Sequence, residues 1–289
     1  MLSVQANAEY SRRWIINDIP VMLAALAAGL LIFVQDLQAA GYWQAMVFSG
    51  LVFCASLLWQ PNLLRGLVTL IAFSAAFTML MEAIAATSYP LADAMLLAAD
   101  STLGLSAPAT AAFVAQYPVV AFMLKVAYSS VIPQTILVLF ILAEKSSLWT
   151  FLQRFMLGAL VTVCFFYFFP AVGVQGNITP VIAERFHALR SGAAVITWQG
   201  AQGIITFPSF HTAWAIFLTA ALWPTRLRWW AFGLNVLMIA STVTVGGHYY
   251  VDVPAGALVA LLVIRSVPRT AYPSTAGNSA MAASMFSCG

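Results

Sequence analysis

The sequence predicts an all-α integral membrane protein of about eight transmembrane helices with both termini cytoplasmic, and three observations predict it. Of its 289 residues, 62% are hydrophobic and only 7% are charged, whereas a water-soluble domain carries about a quarter charged residues. The apolar residues fall into runs near the ~20 residues that cross a ~30 Å hydrocarbon layer. The few basic residues collect on one side when those runs are threaded back and forth. The net charge of +3 comes from short-loop arginines, which fits membrane orientation and not a nucleic-acid surface. The cysteines, Cys54, Cys164 and Cys288, form neither a disulfide framework nor a metal-ligand spacing.

The elements follow in order. Residues 1–18 form a polar cytoplasmic segment holding Arg12 and Arg13. The first apolar run, 19–35, has no small-residue cleavage site before the next span, so it is expected to be a retained helix. With 43–60 it makes two accessory spans within residues 19–62. The remaining runs are 63–86, 118–143, 151–171, 209–223, 229–247 and 249–268. Gln60 with Pro61, Glu144 with Lys145, and Pro224 with Arg226 and Arg228 punctuate them. With a cytoplasmic N-terminus, Arg12, Arg13, Arg65, Lys145, Arg154, Arg226, Arg228, Arg265 and Arg269 face the cytosol, Arg185 and Arg190 face outward, and Lys125 lies within a span. Two long connections then face outward. Residues 87–117 carry Asp93 and Asp100 and read as an interfacial amphipathic segment, LADAMLLAAD, followed by an Ala-rich stretch. Residues 172–208 carry Glu184, Arg185, His187 and Arg190. Residues 269–289 read as a disordered cytoplasmic tail. No interface motif fixes an oligomeric state.

All three histidines, His187, His211 and His248, then lie on the outward side. His211 and His248 are separated by one helix inward, a short basic turn and one helix back, so they return to the same depth. Asp252 follows His248 by four residues, which puts imidazole and carboxylate on one face if the eighth helix has begun there. A lone interfacial histidine is most often structural, but an Asp at the edge of an apolar run is costly unless it faces a polar cavity. The stretch TFPSFHTAWA adds Pro208 and Ser209 before a helix whose first amides and dipole favour an anion such as phosphate. A carboxylate paired to one imidazole nitrogen frees the other to attack phosphorus, and a second histidine protonates the leaving oxygen. The expected chemistry is phosphoryl transfer through a phosphohistidine.

At these residues the chain resembles the type 2 phosphatidic acid phosphatase superfamily. The second motif of that family, Pro-Ser-Gly-His, stands here as Pro208, Ser209, Phe210, His211. Its third, Ser-Arg, five residues, His, three residues, Asp, stands as Ser241, Thr242, VTVGG, His248, YYV, Asp252. The resemblance implies a six-helix catalytic core over residues 63–268, with His248 as nucleophile, Asp252 orienting it and His211 as general acid and then base. It also implies a reaction that needs no metal or other cofactor, on a lipid phosphate or phospholipid at the extracytoplasmic face of a cell membrane, the inner membrane in a Gram-negative cell.

Both motif arginines are replaced. The first motif, Lys, six residues, Arg, Pro, survives as Lys125, six residues, Ile132, Pro133, and Thr242 stands at the third-motif arginine. The candidate phosphate ligands are therefore Ser209, Gly247 beside the nucleophile, Lys125, and Arg190, whose forked donors suit phosphate oxygens. The pattern FPSFH with GGHYYVD is similar to the branch that holds inositol phosphorylceramide synthases and their bacterial relatives, which implies transfer of a phospho-headgroup to an alcohol acceptor. The competing reading is a non-catalytic lipid or proton-coupled transporter, with Glu82, Lys125 and Asn235 available to line a path.

Overall fold

The computed structural model describes residues 19–32, 39–40, 62–143, 145, 147–174, 180–197 and 203–268. The expected N-terminal segment 1–18, the second accessory span 43–60 and the tail 269–289 lie outside the described residues. Within them the chain is helical: α1 (Ile19–Ile32), α2 (Asn62–Ala85), α3 (Asp93–Thr102), α4 (Ala107–Ala115), α5 (Pro118–Ser129), α6 (Val131–Leu142), α7 (Ser147–Phe168), α8 (Pro180–Arg190), α9 (Phe210–Leu222), α10 (Arg228–Thr244) and α11 (Asp252–Ser266). The only extended pairing among the described residues is a two-residue parallel ladder, β1 (Ala39–Ala40) with β2 (Ile196–Thr197).

Among the described residues, two helices, α2 over Leu63–Ala85 and α7, are long and apolar enough to cross a membrane. The α4 and α5 pair passes the same test together but is bent by 119°, and α1, α6 and α9 are shorter apolar helices. With Val119, Phe122, Trp229 and Leu261 exposed on the outside of the bundle, the apolar surface is that of a membrane protein.

The run 118–143 was expected to be one helix, and the structure divides it at Ser130. Pro133 supplies the reason, because it has no N–H for the Ser129 carbonyl and its ring clashes with that carbonyl. Placed in the first turn of α6, the proline breaks no bond of its own helix. The Ser130 hydroxyl donates to the Ala127 carbonyl at 2.6 Å and accepts from Gln134 Nε2 at 2.9 Å, which closes the junction.

Helix α9 sits at the centre, packed against α6, α7, α10 and α11, while α2 packs on α6, α7 and α8. Phe73, Phe155, Phe217, Leu218 and Met238 fill the space between them. Two of the charges taken inside show the kind of partner that burial demands. Arg185 makes a forked bond to Glu82 at 2.9 and 2.7 Å, and Glu82 also accepts from the Thr197 amide at 2.8 Å, so α2, α8 and β2 are tied at one point. Arg154 donates from Nε and Nη2 to the Val267 carbonyl at 2.9 and 2.8 Å and pins the end of α11 to α7.

Candidate active site

The geometry starts from the junction of two helix beginnings. Ser209 is the N-cap of α9, in extended backbone, and its hydroxyl accepts from the Thr212 amide at 3.3 Å. The Ser209 amide donates to the Asp252 carbonyl at 3.0 Å, so the first residue of α11 is bonded to the first turn of α9. Gly256, one turn into α11, lies directly under the Ser209 carbonyl, where any Cβ would collide with it. This close approach brings the two motif segments together.

His248 stands in the loop between α10 and α11. Its amide donates to the Thr242 carbonyl at 3.2 Å, which folds the loop back over the end of α10. Its Nδ1 is 3.2 Å from Asp252 Oδ2, and the same oxygen accepts the Tyr249 amide at 2.8 Å. The expected pairing is present, on a different backbone from the expected one: α11 begins only at Asp252, and a turn closed by the Asp252 amide on the Tyr249 carbonyl at 3.2 Å sets the spacing. His248 is 2% exposed and Asp252 0%. The His211 ring, in the first turn of α9, is 6.1 Å from the His248 ring and inclined to it by 68°. Two imidazoles and a carboxylate therefore share one end of the bundle.

The four candidate phosphate ligands are placed differently from one another. Ser209 is buried, and its oxygen accepts from both the amide and the hydroxyl of Thr212. Gly247 adjoins His248 with φ +73°, and its carbonyl accepts the Val174 amide at 2.8 Å. Arg190 ends α8 with Nη2 donating to the Tyr89 carbonyl at 2.7 Å and its guanidinium over the Phe186 ring. Its Nη1 is buried without a hydrogen-bond partner, and partial desolvation lowers its pKa from the ordinary arginine value. Lys125 is exposed on α5, one turn before Tyr128.

Three further residues build the site. Tyr128 stacks on His211 with ring centroids 4.3 Å apart, and its hydroxyl is 3.4 Å from His211 Nδ1. Asp93 accepts the amides of Val172 and Gly173 at 3.0 and 2.9 Å and the Tyr249 hydroxyl at 3.0 Å. Asp100, fully buried, accepts the amides of Tyr250 and Val251 at 2.9 and 3.0 Å. The two carboxylates are seven residues apart on α3, hence on one face, and that face is turned to the loops that flank His248. The sequence signal for them was present in the acids of LADAMLLAAD, which have no basic partner nearby. A carboxylate that ends buried must find donors, and here the donors are backbone amides.

Removing Asp100 leaves the amides of half-buried Tyr250 and Val251 without that acceptor, a loss of up to about 1–3 kcal/mol for each. Asp100→Ala is expected to lower the thermal midpoint in detergent by several degrees and to reduce activity with it, because the same bonds hold the loop of His248. Unchanged thermal unfolding in that variant would remove Asp100 from the site's support. Among the described residues, no group of three or more His, Cys, Asp or Glu side chains is arranged to hold a metal ion.

A family model described as PAP2 superfamily matches residues 94–266, more than half of the chain, a span that holds Asp100, Tyr128, His211, His248 and Asp252. No curated protein and no solved structure matches the chain.

Proposed function

The chain belongs to the PAP2 superfamily, and from that premise we propose that it is an integral-membrane lipid phosphatase or phosphotransferase acting through a phosphohistidine at the extracytoplasmic face. Superfamily membership carries phosphatase-type chemistry on phosphate esters. The observation that carries the finer reading is the His248 Nδ1 to Asp252 Oδ2 contact at 3.2 Å with the His211 ring 6.1 Å away. Asp252 accepts the Nδ1 proton and leaves His248 Nε2 with a free lone pair. Nε2 attacks phosphorus, the P–N bond forms, the P–O bond to the leaving alcohol breaks, and His211 gives that oxygen a proton. Water or an acceptor alcohol then loses its proton to His211, attacks phosphorus and breaks the P–N bond. His211 ends protonated, as it began.

The reading includes a threaded chain of eight spans with cytoplasmic termini: segment 1–18, accessory spans within 19–62, a six-helix core over 63–268 and the tail 269–289. The reaction proposed uses neither metal nor cofactor. Ser209 and Gly247 contribute to the phosphate cradle through the backbone they shape at the start of α9 and beside His248. Arg190 and Lys125 reach the phosphate by moving, Arg190 by exchanging the Tyr89 carbonyl for a phosphate oxygen. With Ile132 and Thr242 in place of motif arginines, the resemblance to inositol phosphorylceramide synthases supports headgroup transfer over simple hydrolysis. The transporter reading loses its membrane-depth acid, because Glu82 is engaged by Arg185 and the Thr197 amide.

Purified protein presented with radiolabelled phosphatidic acid, a prenyl diphosphate and phosphatidylinositol, each with and without diacylglycerol or ceramide, is expected to give released phosphate or a new phospholipid. A base-stable, acid-labile phosphoenzyme should accompany it. No product and no labelled protein across that panel would overturn the proposal.

A further inference from the structure

His248 has a carboxylate behind its Nδ1, and the second imidazole has a phenol behind its own. The Tyr128 hydroxyl lies 3.4 Å from His211 Nδ1, and the two rings stack with centroids 4.3 Å apart and planes within 20°. The loop before His248 is shaped for that ring. A Cβ on Gly246 would sit 2.5 Å from Tyr128 Cε2 and 3.0 Å from Cζ, so only glycine there leaves room for the stack. Tyr128 thus touches the motif segments of both histidines from α5, an element that contributes neither histidine nor Asp252.

We infer that Tyr128 is a positioning residue, whose oxygen accepts the Nδ1 proton of His211 and leaves Nε2 as the working nitrogen. The inference rests on the acid–base role proposed for His211. The proton count fixes which way the bond runs. To protonate a leaving alkoxide and remain a neutral imidazole, His211 must begin as imidazolium and give up the Nε2 proton, which leaves the other proton on Nδ1. To take a proton from water or an alcohol in the second step, Nε2 must be bare, again with the proton on Nδ1. Both half-reactions therefore need an acceptor at Nδ1, and Tyr128 Oη is the side-chain atom placed there. A phenol accepts as well as donates, and being uncharged it does not fix the imidazolium as a carboxylate would. That difference suits the two roles: the nucleophile is held basic by Asp252, while the shuttling histidine must release its proton as readily as it takes one.

The test uses full-length protein with ¹⁵N-labelled histidine, of which the chain has only three. In the wild type the nitrogen shifts of neutral His211 should show the proton on Nδ1. Tyr128→Phe keeps the stacked ring and removes the acceptor, so it should shift His211 toward the Nε2–H tautomer. In parallel, Tyr128→Phe should lower kcat/KM for dioctanoyl phosphatidic acid by about 10- to 100-fold. The burst of p-nitrophenol from p-nitrophenyl phosphate, whose leaving group needs no proton, should be unchanged. An Nε2–H tautomer in the wild type, an unmoved tautomer in Tyr128→Phe, or equal losses with both probes would overturn the inference and leave the phosphohistidine reading standing. A wild-type protein that turns over neither probe would overturn that reading for monoesters, and the tautomer shifts would still decide whether Tyr128 sets the His211 proton.

Discussion

His248→Ala is expected to abolish turnover of every lipid substrate, by on the order of 10⁵-fold or more, while the protein remains folded in detergent. The size follows from the role: no other side chain in the cluster offers an unprotonated nitrogen backed by a buried carboxylate. Asp252 Oδ2 is engaged with His248 Nδ1 and the Tyr249 amide, and His211 Nδ1 faces Tyr128. Folding should survive because the backbone bond from the His248 amide to the Thr242 carbonyl at 3.2 Å does not involve the imidazole. Asp252 also keeps the Tyr249 amide as donor. Two measurements check the prediction together: product formation from the lipid panel, and trapping of the base-stable phosphoenzyme. Wild-type turnover in His248→Ala would end the nucleophile assignment, and labelled protein in that variant would move the phosphoryl group to another residue.

The sequence made the motif pair legible because its geometry is simple. His211 and His248 are joined by one helix, a short turn and a returning helix, and α9 and α10 form that antiparallel pair. Apolar run length likewise located the helices that packed as α2, α7, α9, α10 and α11, since a long apolar segment announces itself by composition alone. What escaped were features fixed by tertiary contact. Tyr128 is one more aromatic in an apolar run until α5 is laid against His211 and Gly246. Asp93 and Asp100 belong to a segment that resembles an interfacial helix, and only the packed loops show that both carboxylates bind backbone amides. The division of 118–143 was within reach, because Pro133 stands in the run, but the continuous hydrophobicity on either side outweighed it. Ser209 shows how one residue can carry two readings: the hydroxyl that the sequence offered as a phosphate ligand is the cap that satisfies the Thr212 amide.

Asp252→Asn is expected to lower turnover by about 10³- to 10⁴-fold while changing shape hardly at all. The carboxylate oxygen Oδ2 receives two hydrogens, from His248 Nδ1 at 3.2 Å and from the Tyr249 amide at 2.8 Å. Oδ1 is buried with no hydrogen-bond partner. An asparagine can keep its oxygen on the Tyr249 amide, but it brings no negative charge to the developing positive charge on His248. If instead its amide group turns toward Nδ1, it donates, and the imidazole must hold its proton on Nε2, the nitrogen that has to attack. Either arrangement disables the nucleophile without opening a cavity, so thermal unfolding should stay near that of the wild type. The discriminating measurement is the rate of phosphoenzyme formation in a single turnover. A slow approach to the phosphoenzyme in Asp252→Asn is the expected result. Formation at the wild-type rate would show that Asp252 serves the loop and not the nucleophile.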